Sequence, residues 1–71
     1  MFDQIEKLPF KVHRAKANMT QEDVAKSLGI NRNTYSSWEK YKTYPDVIQL
    51  IRLADVFECS LDAFYFPPKA S

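Results

Sequence analysis

Thr20-Gln21-Glu22-Asp23-Val24-Ala25-Lys26-Ser27-Leu28-Gly29 runs directly into Ile30-Asn31-Arg32-Asn33-Thr34-Tyr35-Ser36-Ser37-Trp38-Glu39-Lys40. Thr20 and Asp23 stand three apart in the form of a capping box, where each side chain satisfies a backbone N–H that the first helical turn leaves unpartnered. Val24, Ala25 and Leu28 then recur at helical spacing, and Gly29, free to adopt a left-handed conformation, stops the helix. The spacing predicts a helix over about 21–28. Asn31 supplies the cap of a second helix, about 32–40, whose Tyr35 and Trp38 fall on one buried face. Ile30 plugs the gap between the two. The outward side of the second helix carries only Arg, Asn and Ser, a surface made to touch something polar.

Outward from this pair, Pro9 suits the first residue of an earlier helix near 7–17, with Phe10, Arg14 and Ala17 at helical spacing. Asn18 stands at its turn, and asparagine tolerates the left-handed region. Downstream, Tyr41 to Pro45 reads as a loop, because the residue before a proline is pushed out of the α region. Asp46 caps a fourth helix with Gln49 as its reciprocal partner, and Val47, Leu50, Ile51, Ala54 and Phe57 form its apolar stripe. Ser60 caps a short fifth helix in which Leu61, Phe64 and Tyr65 supply apolar surface, and Pro67-Pro68 end it. No strand is required, and there is no internal repeat or second domain. The expectation is one all-α domain over residues 1–71, a compact bundle of five short helices.

Composition narrows the class further. Hydrophobic residues at 45% and charged residues at 27% suit a globular chain, which at this length buries only about 60% of its unfolded surface. No apolar run approaches the roughly 20 residues that span a bilayer, and Met1 to Glu6 lack the order of a signal peptide, so a cytoplasmic location is expected. The single Cys59 fits a reducing compartment. The net charge of +1 hides an asymmetry: −2 over residues 1–6, +5 over 7–42 and −2 over 43–71. A basic first half suits a protein that presents one face to phosphate. No Gly-rich phosphate loop, nucleophile–base pair or metal cluster is visible, so no enzymatic activity, cofactor or metal is expected.

The residues Arg14, Thr20 to Ala25, Leu28-Gly29-Ile30, Tyr35, Trp38-Glu39, Pro45, Leu50, Leu53-Ala54 and Ser60-Leu61-Asp62 carry a family resemblance. Over residues 9–66 the chain resembles the repressor/Cro family of small regulators, also called the Xre family, with the helix-turn-helix at 21–40. The resemblance implies a lambda-repressor-like domain that binds double-stranded DNA, with the second helix of the pair in the major groove. It places Arg32, Asn33, Ser36 and Ser37 at the base-reading positions; Arg32 suits guanine O6 and N7, and Asn33 suits adenine N6 and N7. It assigns Gln21 to a DNA phosphate, and Asn31, Thr34, Lys40, Lys42 and Thr43 to sugar-phosphate oxygens. Arg14 and Glu39 match a pair of the family that ties two helices together by charge. Phe64, Tyr65 and Phe66 fall where the family commonly dimerises, and a homodimer presents two recognition helices about 34 Å apart to a palindromic site.

The implied function is therefore a transcriptional regulator, a repressor acting as a homodimer on a palindromic operator. The alternative from another class is an antitoxin or adaptor whose main partner is a protein bound through the aromatic C-terminus. Three departures from the family pattern stand out: Lys40-Tyr41 where a glycine commonly follows the recognition helix, His13 where leucine is frequent, and Ser37 where a basic residue is frequent. His13 has no ligand-type residue at metal spacing and reads as a partly buried or surface histidine. Cys59 reads as inert packing, and Tyr35 and Trp38 as core rather than a base-stacking platform.

Overall fold

The computed structural model describes residues 6–68. Four α-helices follow one another, α1 (Phe10–Lys16), α2 (Gln21–Leu28), α3 (Arg32–Glu39) and α4 (Val47–Phe57), and a 3-10 turn (Leu61–Ala63) closes the fold. The two capping boxes form as their spacing predicts. Asp23 N–H donates to Thr20 Oγ1 at 3.0 Å and Thr20 N–H to Asp23 Oδ2 at 2.9 Å. At α4, Gln49 N–H donates to Asp46 Oδ1 at 2.8 Å and Asp46 N–H to Gln49 Oε1 at 2.9 Å.

All four helices end alike. After each, a residue with positive φ lets its own N–H and that of the residue after it turn back onto carbonyls of the last turn, the Schellman arrangement. At α2 that residue is Gly29 (φ 68°), with Gly29 N–H on Lys26 O at 3.1 Å and Ile30 N–H on Ala25 O at 3.0 Å. At α1, α3 and α4 it is Asn18 (φ 60°), Tyr41 (φ 58°) and Glu58 (φ 54°). Asn tolerates this region, whereas Tyr and Glu hold it against steric cost.

Three expectations about the helices need correction. The fifth helix is only the 3-10 turn, because Phe64 leaves it in an extended conformation and pairs with the segment before α1. Leu8 N–H donates to Ala63 O and Tyr65 N–H to Leu8 O, both at 2.9 Å, so those backbone groups are committed to a bridge instead of a longer helix. The stripe assigned to α4 is also rotated. Leu53, Ala54 and Phe57 face the core, while Val47 and Ile51 are 69% and 42% exposed. The first helix is shorter than the expected 7–17, beginning only at Phe10 with Pro9 as its cap.

The core gathers Phe10, Val24, Leu28, Tyr35, Trp38, Leu53 and Phe57 from the four helices and Phe64 from just after the closing turn. His13 belongs to it and is more buried than expected: its ring stacks on Phe57, and Nε2–H donates to Ala63 O at 2.7 Å. This bond fastens α1 to the closing turn and satisfies a buried polar group that would otherwise be costly. Cys59 is half-buried beside the core, and burial pushes its thiol pKa up, away from reactivity. Among the described residues no helix is long and apolar enough to cross a membrane.

Candidate nucleic-acid interface

Tyr35 and Trp38 pin α3 to the body of the domain, their rings edge to face at 6.1 Å and both buried. Helical periodicity then forces the opposite side of α3 outward. Arg32, Asn33 and Thr34 are exposed, and Ser36 and Ser37 are half-buried on its flanks. Lys40, Lys42 and Thr43 lie exposed in the segment that follows. Between α3 and the start of α4 runs a shallow groove lined by Asn33, Thr34, Ser37, Thr43, Tyr44 and Gln49. Tyr44 and Gln49 did not figure among the residues expected here; Gln49, the capping partner of Asp46, also lines this groove beside α3.

The cap of α3 fixes what Asn31 can offer. Its Oδ1 accepts from Asn33 N–H at 2.8 Å, which leaves the side-chain NH2 as the outward group. A phosphate oxygen needs a donor, so capping and phosphate contact are compatible on one residue.

Behind the exposed face, α1, α2 and α3 converge on the carboxylate of Glu39. Arg14 Nε donates to Glu39 Oε2 at 2.6 Å and Arg14 Nη2 to Oε1 at 3.3 Å, a two-pronged pair, while Arg14 Nη1 holds Met19 O at 3.1 Å. Gln21 Nε2 donates to Glu39 Oε1 at 2.8 Å, and Arg32 Nη1 donates to Gln21 Oε1 at 3.3 Å. A continuous chain of polar contacts thus runs from Arg14 through Glu39 and Gln21 to Arg32. Burial alone would raise the Glu39 pKa, but the Arg14 guanidinium, the neighbouring Tyr35 hydroxyl and the Gln21 amide outweigh it and hold the carboxyl below its usual range. The same pairing raises the Arg14 pKa. The Tyr35 hydroxyl is buried beside this pair without a hydrogen bond of good geometry, and burial raises its pKa.

The family resemblance pointed to Arg14 and Glu39 but did not reveal that Gln21 shares the carboxylate. The two residues are 18 apart and meet only because α2 and α3 pack together. Of the three aromatic residues expected at a dimer contact, Phe64 is buried against Phe10 and has no free surface, whereas Tyr65 and Phe66 are exposed.

The comparisons agree with this geometry. A helix-turn-helix family model matches residues 11–64. An uncharacterized HTH-type transcriptional regulator of Archaeoglobus fulgidus is 42% identical over 57 residues, covering 79% of this chain and 80% of that protein. One of Methanocaldococcus jannaschii is 36% identical over 55 residues, covering 78% and 83%. Among solved structures, the P22 c2 repressor in complex with synthetic operator 9T in the presence of Tl+ superposes with a TM-score of 0.70 at 28% identity, over 75% of this chain and 80% of that one. This chain belongs to the Cro/C1-type helix-turn-helix family of DNA-binding transcriptional regulators.

Proposed function

We propose that this chain is a sequence-specific repressor that binds double-stranded DNA in the cytoplasm, as a homodimer on a palindromic site, and blocks transcription by occupying promoter DNA. The observation that carries the reading is α3 itself: its core face is filled by Tyr35 and Trp38, and its free face holds Arg32 and Asn33 exposed at the N-terminal end. A recognition helix meets base edges with that end. The likeness to a repressor solved on its operator supports the same orientation.

In this reading Arg32 and Asn33 read bases with paired hydrogen bonds, each good pair contributing about 1–3 kcal/mol of discrimination. Ser36 and Ser37 fill the remainder of the reading surface. Gln21, Asn31, Thr34, Lys40, Lys42 and Thr43 hold the sugar-phosphate backbone and set the register of the helix. The network behind the face supplies rigidity, since Gln21 grips Glu39 with its NH2 and Arg32 with its carbonyl oxygen. Selection of sites from random duplex DNA tests the function. The expected result is an inverted repeat with half-site centres about 10 base pairs apart. Equal recovery of all sequences contradicts it.

A further inference from the structure

Tyr41 follows the C-cap of α3, where the segment assigned to phosphate leaves the recognition helix, and its φ of 58° is one that a tyrosine holds against steric cost. Glycine takes that conformation freely, so a strained tyrosine in its place points to work done by the side chain. The half-buried ring stacks on Phe10 of α1 at 5.9 Å and meets Phe66 edge to face at 6.3 Å. Its hydroxyl donates to Tyr65 O at 2.8 Å, and Tyr65 N–H in turn donates to Leu8 O at 2.9 Å. Through Tyr41 the loop after α3 is therefore attached to the bridge between the segment before α1 and the end of the fold. On its other side the loop is fastened to α3 itself, with Tyr41 N–H on Trp38 O and Lys42 N–H on Ser37 O, both at 3.0 Å. Exposed Lys42 and Thr43 lie between two anchors, half-buried Tyr41 and buried Pro45.

We propose that Tyr41 is a positioning residue of the DNA interface: the tie from its hydroxyl to the Tyr65 carbonyl fixes the direction in which Lys42 and Thr43 leave α3, and with it the phosphates they meet. This rests on the assignment of those two residues to phosphate in the proposed function. A glycine leaves such a loop held by backbone bonds to its own helix. The tyrosine adds a second attachment, 24 residues away in sequence, so less freedom is lost when the loop meets DNA. The segment around Tyr65 thereby contributes to affinity through Tyr41, from behind the contact.

Tyr41→Phe keeps the ring and removes only the hydroxyl. Amide hydrogen exchange of the free variant is compared with wild type, the amides of buried Val24 and Leu53 reporting global opening. The Lys42 amide is expected to exchange about three- to tenfold faster at unchanged core rates, the factor that one hydrogen bond supplies. Equal Lys42 rates overturn the tie, and a rise shared by loop and core overturns the positioning role in favour of a purely structural one. Duplex binding is measured in a double-mutant cycle against the paired substitutions Lys42→Ala and Thr43→Ala. Tyr41→Phe is expected to weaken binding to selected and random duplexes alike, about three- to tenfold, and to have no further effect once both partners are alanine. Additive losses, or wild-type affinity in a variant whose loop exchanges faster, overturn the positioning role and leave the DNA reading intact. A wild type that binds no duplex overturns the role and the DNA reading together.

Discussion

Gln21 Nε2 donates to Glu39 Oε1 at 2.8 Å, which ties the first residue of α2 to the last residue of α3. The same carboxylate receives Arg14 from α1, so a single acidic group sets three helices relative to one another. The helix-turn-helix angle is thereby held by directional hydrogen bonds as well as by packing, and the exposed edge of the network ends at Arg32.

Removing Arg14 leaves the half-buried Glu39 with a charge that the Gln21 amide alone cannot balance, and releases Met19 O. The Arg14 side chain is 23% exposed and that of Glu39 6%, so the cost falls below that of a fully buried pair. Arg14→Ala is expected to destabilise the fold by about 2–3 kcal/mol. In a domain of this size that lowers the melting temperature by roughly 10–20 °C. An unchanged melt would show that the pair does not hold the helices.

The depressed pKa of Glu39 makes its contribution dependent on acid. A carboxylate whose folded pKa lies below its unfolded value stabilises the protein fully above the unfolded value, about 4.3, and loses that stabilisation as pH falls through the folded value. Wild-type stability should therefore decline on acidification below about pH 5. Denaturation of Glu39→Gln across the same range should give a lower plateau at neutral pH and a shallower decline. Parallel curves for the two proteins would contradict the assignment.

Tyr41 and Glu58 occupy equivalent left-handed positions after α3 and α4 but differ in what their side chains do. Tyr41 stacks on Phe10 at 5.9 Å and its hydroxyl donates to Tyr65 O at 2.8 Å, whereas the Glu58 side chain is exposed. Glu58→Gly relieves backbone strain of about 1 kcal/mol and should raise the melting temperature by a few degrees. Tyr41→Gly gains the same relief but loses aromatic packing of about 2–4 kcal/mol and should lower it. Calorimetry on both variants checks the opposite signs.

Lys42 is exposed in the segment after α3 and is assigned to phosphate rather than to bases. Lys42→Ala should weaken binding to every duplex by a similar factor and reduce the slope of log affinity against log salt by about 0.9 per subunit. Titrations on the selected site and on random duplex DNA at several salt concentrations measure both quantities. A variant that loses affinity for the selected site alone would place Lys42 among the base readers.

How far the fold was legible in the sequence depended on the range of the interaction involved. The boundaries of α2 were legible because Thr20, Asp23 and Gly29 act within a turn of the residues they control. The burial of α4 was not, because apolar residues surround much of the helix: Val47, Leu50, Ile51, Ala54 and Phe57 satisfy the helical period, yet fully buried Leu53 lies outside that series. The surplus that misled the period is the exposed face carrying Val47 and Ile51. The closing helix was shortened by Leu8, more than 50 residues away, whose backbone pairs with the chain around Phe64. The His13 bond to Ala63 and the Gln21 bond to Glu39 are likewise products of tertiary packing, invisible to spacing. At the candidate site, the exposed positions of α3 followed from Tyr35 and Trp38 pointing inward, whereas the placing of Tyr44 and Gln49 along the groove beside α3 required the loop to be folded.

The central claim, that Arg32 at the start of α3 reads a base pair in each half-site, is tested most directly by site selection from random duplex DNA with the wild type and with Arg32→Ala. The account predicts that the wild-type sites carry a guanine preference at one position of each half-site and that the variant loses preference there alone, keeping the remainder of the motif. Identical motifs from the two proteins would contradict it.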